Sequence, residues 1–305
     1  MAREFTLIER LRARLPAIGD DCAVVDGGRT LLCADAAVAG VHADLALVGV
    51  DDFGWKALAA CVSDVAAMGG RARYALVTVS GPLGDVDVNV LYDGLLAAAG
   101  ACGCEVVGGD LAAGAQLVVS VAVVGMVEPW PAGPPAVPRS GARAGDTLFV
   151  TRPLGAAAAG LALLRAGRGA EDADLVMAQR RPRPRLEEGR CARLAGATAM
   201  IDVSDGLAVD ASHLAAASGV GLALERVPVA VGVARAVDDD PEAVALGGGE
   251  DYELLFTAPD PERVESAFAD AGLAAPVRIG RCTADPAERR LRDGPLPKLG
   301  WEHTW

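Results

Sequence analysis

The stretch Ile18-Gly19-Asp20-Asp21-Cys22-Ala23 places two adjacent carboxylates between a glycine and apolar residues. It lies just before a strand-like run, residues 30–34, that leads directly into Asp35. An unpaired carboxylate in such surroundings costs free energy or shifts its pKa, so a nearby cation is the simplest partner for it. We therefore take this stretch as the element around which the chain is organised.

Other aspartates lie in similar apolar or glycine-rich sequence, namely Asp64, Asp110, Asp202 and Asp205. Asp64 is the only charged residue between positions 57 and 70. Aspartate oxygens are the hard ligands that Mg²⁺ prefers, usually with phosphate oxygens completing the shell. The pattern predicts a magnesium–nucleotide site assembled from scattered acidic loops.

Length and composition narrow the possible classes of protein. The 305 residues favour two domains, and the net charge of −13 argues against nucleic acid or an anionic membrane as the main partner. No leader of the secretory type opens the sequence, and the longest apolar run, residues 117–127, is too short to span a bilayer. Seven cysteines without a C-x-x-C pair favour reduced thiols and a cytoplasmic location.

The order of the elements predicts an α/β and α+β protein. Five prolines between residues 128 and 138 indicate a stiff connector, which divides the chain into domains 1–137 and 138–305. We expect a helix over residues 53–68, capped by Asp51 and Asp52. A valine-rich strand over residues 116–127 is expected to be covered on both faces.

One basic cluster follows in the second half of the chain. Arg180, Arg181, Arg183 and Arg185 alternate with prolines at positions 182 and 184. Such a cluster fits either a solvated surface turn or a phosphate contact, and the sequence leaves both open.

Several familiar catalytic sites are excluded by spacing. The sequence has no G-x-x-x-x-G-K-[ST] stretch, no kinase glycine loop with its lysine, and no Gly-x-Ser-x-Gly. Its three histidines lie far apart, and there is no H-E-x-x-H motif. Phosphate charge must therefore be met by something other than a Walker-type lysine.

Taken together and in order, a set of motifs resembles the thiamine-monophosphate kinase family. The motifs are Gly19-Asp20-Asp21, Ala34-Asp35, residues 38–42, Ser63-Asp64 through Gly69, Gly108-Gly109-Asp110, residues 139–142, Ile201-Asp202-Val203-Ser204-Asp205-Gly206 and Gly248 through Leu254. The resemblance runs from Glu4 to Trp301, nearly the whole chain. The family belongs to the superfamily of aminoimidazole-ribonucleotide synthetase, selenophosphate synthetase and the hydrogenase-maturation dehydratase.

The resemblance implies a role for each matched residue. The implied Mg²⁺ ligands are Asp21, Asp35, Asp64, Asp110, Asp202 and Asp205, with Asp20, Cys33 and Ala34 as further candidates. Implied nucleotide contacts are Gly109, Asp110, Arg139 and Ser204. The implied pocket for thiamine phosphate is formed by His42, Glu250 and Trp301. We expect no residue that acts as a general acid or base. Among the aspartates, we expect Asp64 and Asp205 to be the most critical for metal-assisted transfer.

The resemblance also implies the architecture and the reaction. An N-terminal α/β domain would pair with its twin in a homodimer, and a C-terminal α+β domain would complete a two-domain fold like that of aminoimidazole-ribonucleotide synthetase. Several Mg²⁺ ions would assist transfer of the γ-phosphoryl group of ATP to thiamine monophosphate, giving thiamine diphosphate. A cationic thiazolium would stack on Trp301 and be balanced by Glu250.

Some positions depart from the family pattern. Cys33 and Ala34 stand where hydroxyl residues are usual, and Leu111-Ala112 where threonines are usual. Arg152 replaces a common glycine and Ala156 a common aspartate. Two alternatives therefore stay open: an ATP-dependent synthetase or kinase of the same superfamily acting on another acceptor, and a non-catalytic metal- or nucleotide-binding protein.

Overall fold

The structure is a computed structural model that describes residues 4–12, 14–15, 18–84, 86–128 and 134–302. In the first half of the chain the elements are α1 (Glu4–Arg12), β1 (Ala23–Val25), β2 (Thr30–Val38), α2 (Val50–Ala67), β3 (Arg71–Gly81), α3 (Val88–Cys102), β4 (Glu105–Ala113) and β5 (Val118–Met126). Their strands form a five-stranded sheet in the order β1-β2-β5-β3-β4, in which only the β3–β4 pair is parallel.

The second half of the chain forms a seven-stranded sheet in the order β12-β11-β8-β10-β6-β9-β7. Its strands are β6 (Thr147–Val150), β7 (Ala199–Val203), β8 (Gly221–Leu224), β9 (Glu253–Ala258), β10 (Val277–Thr283), β11 (Arg289–Leu291) and β12 (Gly294–Pro295). Its helices are α4 (Ala156–Arg165), α5 (Ala173–Arg180), α6 (Leu186–Ala195), α7 (Leu207–Ser218), α8 (Val233–Ala236), α9 (Pro241–Gly247) and α10 (Pro261–Asp270). The mixed α and β architecture agrees with the predicted fold class.

Helix α2 is central because it packs against elements of both halves. Its apolar side chains cover the first sheet, while Ala66 and Ala67 at its end join the core beneath the second sheet. Two glycines allow the close approach of the neighbouring helices. A Cβ atom on Gly94 of α3 would overlap the Asp51 carbonyl, and one on Gly189 of α6 would overlap the Ala66 carbonyl. The side chains of α2 are therefore fixed relative to both sheets.

The predicted helix over residues 53–68 is present, but the expected capping by Asp51 and Asp52 is wrong. The N-cap residue of the helix is Gly49, so no side chain caps its first turn. Both carboxylates instead accept hydrogen bonds from Arg181, at 2.7 Å to Asp51 and 2.5 Å to Asp52. A cation from a distant segment therefore takes the oxygens that a cap would have used.

The expectation that the valine-rich strand is covered on both faces is wrong within a single chain. Strand β5 buries one face under α2, through Val119, Val121 and Val123. Its other face includes Met126, which is exposed. The same outer face of the sheet carries exposed Leu32, Tyr74 and Leu76. Within the part of the chain that the structure describes, the first sheet thus packs on one side and leaves an apolar surface on the other.

Among the described residues, no helix is long and apolar enough to cross a membrane.

Candidate active site

Three of the predicted metal ligands meet at the junction of the two halves. Asp21 lies in the loop before β1, Asp64 lies on α2, and Asp202 lies on β7. One carboxylate oxygen from each lies within 4.8 Å of the other two. The chain therefore gathers, from positions about 40 to 180 residues apart, an oxygen set suited to a hard divalent cation.

Hydrogen bonds hold two of these carboxylates in place. The Ser63 hydroxyl donates to Asp202 Oδ2 at 2.7 Å, and so links α2 to β7. Arg139 donates to both oxygens of Asp21, from Nη2 at 2.6 Å and from Nε at 3.2 Å. The backbone N–H of Arg139 also donates to Asp20 Oδ1 at 2.5 Å. The Asp20-Asp21 loop is thus anchored to the start of the second half of the chain.

The cluster is short of positive charge. Burial raises the pKa of Asp202 to about 7, with a further contribution from Asp21. Burial and the neighbouring Asp202, Cys33 and Asp21 raise the pKa of Asp64 well above its usual range. Burial raises the pKa of Asp21 even though Arg139 opposes the shift. A divalent cation would relieve this repulsion, so the donor set fits Mg²⁺.

Asp35 and Asp205 lie near the three-carboxylate cluster but outside the 4.8 Å set. The charge of Asp35 contributes to raising the pKa of Asp64, and that of Asp205 contributes to raising the pKa of Asp202. Asp210 was not predicted. Its buried carboxylate accepts hydrogen bonds from the N–H groups of Asp205 and Gly206, at 3.1 and 3.0 Å, and fixes this turn.

Gly109 and Asp110 do not join the cluster within one chain. They lie on β4, at the far edge of the first sheet from Asp35. The register aligns Asp35 with Val121, then Val77, then Gly109. Three strand spacings separate the ends of this row, or about 14 Å. The metal and nucleotide roles expected for Asp110 and Gly109 stay predictions.

Two of the predicted acceptor-pocket residues meet at Lys56, a residue that the sequence analysis missed. The Lys56 ammonium, only 3% exposed, lies 2.7 Å from Glu250 Oε1 and 3.4 Å from the His42 carbonyl oxygen. Burial lowers the pKa of Lys56, while Glu250 opposes this shift. Gln179 Nε2 donates to the other Glu250 oxygen at 3.0 Å. Lys56 is one of only two lysines in the chain, which was the available signal.

The expected nucleotide contact Ser204 and the expected pocket residues Glu250 and Trp301 meet at the turn after β7. The Ser204 carbonyl accepts from the N–H of Glu250 at 2.8 Å, and the Asp205 carbonyl accepts from the N–H of Trp301 at 2.9 Å. The Trp301 side chain is 55% exposed. Ser204, Glu250 and Trp301 are therefore tied by the backbone to the acidic stretch that carries Asp202 and Asp205.

The basic cluster is largely engaged by carboxylates. Arg185 donates to both oxygens of Glu253, at 2.6 and 2.9 Å. Arg181 pairs with the two aspartates at the start of α2, and Arg180 donates to the Leu47 carbonyl at 2.7 Å. The Arg181 contacts join the end of α5 to the start of α2, and the Arg185 contacts join the segment before α6 to β9. Three of the four arginines are thus held by protein oxygens, so the cluster is not a fully solvated turn.

Comparison with known proteins identifies the family of the chain. The sequence matches the N-terminal domain of AIR synthase related proteins over residues 19–127 and the C-terminal domain over residues 143–292. It is 39% identical to thiamine-monophosphate kinase of Mycobacterium tuberculosis, covering 85% of this chain and 82% of the relative. It is 37% identical to thiamine-monophosphate kinase of Halobacterium salinarum, covering 98% of this chain and 99% of the relative. The chain belongs to the thiamine-monophosphate kinase family.

A solved structure of the same family extends the comparison to three dimensions. AaThiL complexed with AMPPCP and TMP matches with a TM-score of 0.87 and 33% identity, covering 99% of this chain and 97% of that one. The fold described above is therefore that of a thiamine-monophosphate kinase over nearly its whole length.

The departures from the thiamine-monophosphate kinase pattern fall in different surroundings. The side chain of Ala34 lies on the opposite face of β2 from Cys33 and Asp35, because side chains alternate along a strand. Cys33 faces α2, with its sulfur 3.6 Å from that of Cys61. The Arg152 guanidinium lies 3.4 Å from the Glu188 carboxylate. A glycine at position 152 would remove this contact.

Proposed function

We propose that the protein transfers the γ-phosphoryl group of ATP to the phosphate of thiamine monophosphate, forming thiamine diphosphate and ADP. The observation that carries the proposal is the meeting of the Asp21, Asp64 and Asp202 carboxylates within 4.8 Å. This cluster occurs in a chain that belongs to the thiamine-monophosphate kinase family and resembles a structure with AMPPCP and TMP bound.

The reaction explains why carboxylates, rather than an acid–base pair, dominate the site. Donor and acceptor are both anions, so the barrier lies largely in repulsion and positioning. An acceptor phosphate is already ionised near neutral pH and requires no general base. When bound, Mg²⁺ supplies the positive charge that neutralises and aligns the two phosphate groups.

Asp21, Asp64 and Asp202 are the residues that would hold Mg²⁺. Asp35 and Asp205 lie close enough to affect their ionisation, and this number of carboxylates favours more than one ion. Ser63 and Arg139 would keep the oxygens oriented through their hydrogen bonds to Asp202 and Asp21. Arg139 is thus a positioning residue for the metal site in this chain, in addition to the nucleotide contact expected from the sequence.

The acceptor would lie on the side of the site that carries Trp301. An aromatic face beside a cationic thiazolium contributes about 0.5–2 kcal/mol to the binding free energy. The Glu250 carboxylate already pairs with Lys56 and accepts a hydrogen bond from Gln179. We propose that these contacts hold it in place to balance the positive charge of the thiazolium. Lys56, which also contacts the His42 carbonyl, would position both residues.

We propose that the enzyme is a homodimer with domains 1–137 and 138–305. The outer face of the first sheet exposes Leu32, Tyr74, Leu76 and Met126, and contiguous apolar surface of this kind is typical of an interface. A partner on this face would lie beside the edge strand that carries Gly109 and Asp110. Leu76→Arg should give a monomer by light scattering, and an unchanged mass would place the interface elsewhere.

We also propose a cytoplasmic location. All seven cysteines are free thiols in the structure, which fits a reducing compartment where ATP is abundant.

The direct test is product analysis of the purified protein with Mg-ATP and thiamine monophosphate. We expect thiamine diphosphate and ADP in equal amounts, and no transfer when thiamine replaces thiamine monophosphate. ADP and inorganic phosphate without thiamine diphosphate would contradict the proposal and favour a synthetase or kinase acting on another acceptor.

A further inference from the structure

A pair of thiols lies directly beside the carboxylate cluster. Cys33 on β2 and Cys61 on α2 face each other, with their sulfur atoms 3.6 Å apart. Asp64 follows Cys61 by three positions, so it lies on the same face of the helix. The two sulfurs and one Asp64 oxygen all lie within 4.8 Å of one another.

The spacing of these atoms matches the coordination of a soft cation. Tetrahedral zinc with Zn–S bonds of about 2.3 Å places two sulfur ligands about 3.8 Å apart. The observed separation of 3.6 Å is close to that edge. Thiolates select Zn²⁺ over Mg²⁺, whereas carboxylates alone suit the hard ion.

The three residues are partly closed to solvent. Cys61 is fully buried, whereas Cys33 and Asp64 are each half-buried. The thiols make weak contacts. Cys33 contacts the Cys61 carbonyl at 3.3 Å, the Val123 carbonyl at 4.0 Å and the Cys22 thiol, and Cys61 contacts the Val121 carbonyl at 3.4 Å. Binding of a metal would therefore displace no strong hydrogen bond of either sulfur.

We propose that Cys33, Cys61 and Asp64 form a binding site for a thiophilic divalent cation of the Zn²⁺ class. Asp64 also belongs to the cluster with Asp21 and Asp202, so one carboxylate serves two overlapping sites. A Zn²⁺ ion bound to the thiols would compete with Mg²⁺ for Asp64. This competition rests on the proposed function, whereas the metal site itself does not. It predicts that Zn²⁺ inhibits phosphoryl transfer and that excess Mg²⁺ relieves the inhibition.

Co²⁺ is the probe for the site, because a thiolate ligand gives it a sulfur-to-cobalt charge-transfer absorption in the near ultraviolet. We expect the full-length reduced protein, free of Mg²⁺, to bind Co²⁺ with this absorption and to lose it when Zn²⁺ is added. Cys61→Ala should weaken Co²⁺ binding by about 100-fold or more, since even outer-shell partners cost 10–100-fold. Cys191→Ala, which removes a buried thiol outside the cluster, should bind as the unaltered chain does.

Cys33→Ala provides a second route, since this half-buried position tolerates truncation better than the core position of Cys61. It should lose the absorption as well. Co²⁺ binding without thiolate absorption, no binding at all, or absorption that survives both Cys33→Ala and Cys61→Ala would overturn the proposal. The readout does not depend on catalysis, so loss of the proposed kinase activity and loss of this site are distinguishable.

Discussion

Replacing Asp202 with asparagine should stabilise the metal-free protein at alkaline pH. Burial, together with Asp21, raises the pKa of Asp202 from 3.8 to about 7. At 1.36 kcal/mol per pKa unit, keeping this carboxylate ionised costs the folded state about 4 kcal/mol. Asparagine removes that cost and keeps an oxygen that can accept from Ser63.

The sign of the pH dependence follows from the direction of the shift. Because the folded pKa lies above the unfolded one, the unfolded chain releases its proton first. The stability of the metal-free protein should therefore fall as pH rises from about 4 to about 7. Asp202→Asn should gain up to about 4 kcal/mol at pH of about 8, and almost nothing at pH of about 4.

Urea unfolding at these two pH values, in the presence of EDTA, measures the effect. Asp174→Asn removes an exposed carboxylate of α5 and should leave the pH dependence unchanged. Added Mg²⁺ should stabilise the unaltered protein more than Asp202→Asn. An Asp202→Asn protein that is no more stable than the unaltered one at alkaline pH would refute the argument that this carboxylate is buried without enough positive charge.

Three further substitutions test the acceptor pocket and the metal requirement. Trp301→Ala should raise the KM for thiamine monophosphate several-fold with little change for ATP, given about 0.5–2 kcal/mol for the aromatic contact; equal shifts in both KM values would remove Trp301 from the pocket. Ala34→Thr should leave the Mg²⁺ concentration for half-maximal activity unchanged, because its side chain points away from Asp35; a lower requirement would show that the hydroxyl reaches a metal. Lys56→Met should destabilise the protein by about 3 kcal/mol, and adding Glu250→Gln should restore much of this, since breaking a buried pair leaves a charge without its partner; thermal unfolding that shows no recovery in the double variant would contradict the pairing.

The fold was predictable where local signals agree. The helix Leu207–Ser218 ends at Gly219 in the left-handed conformation, as an apolar stripe followed by glycine indicates. The helix Leu186–Ala195 was missed because it follows a proline–arginine segment and contains Gly189, and it packs against both α2 and α10. The covering of β5 was wrongly predicted because a run of valines does not show whether the second face meets another element of the same chain.

The site was predictable where its chemistry is unusual for its sequence context. Asp64 stood out as a lone charge in an apolar helix, and the structure brings it to Asp21 and Asp202. Gln179 and Asp210 gave no such signal, because a glutamine or aspartate in an amphipathic helix is ordinary. Their roles depend on contacts across the fold, with Glu250 and with the Asp205 turn, that no local pattern contains.

The most direct test of metal-assisted transfer at the carboxylate cluster is the rate of thiamine diphosphate formation by Asp64→Asn along a Mg²⁺ titration. The substitution keeps the size of the side chain and removes a charge from a cluster that repels itself, so the variant should fold without metal. We predict that its rate falls by orders of magnitude and that excess Mg²⁺ restores little of it. A folded Asp64→Asn protein with near-normal turnover at ordinary Mg²⁺ concentrations would contradict the role of this cluster.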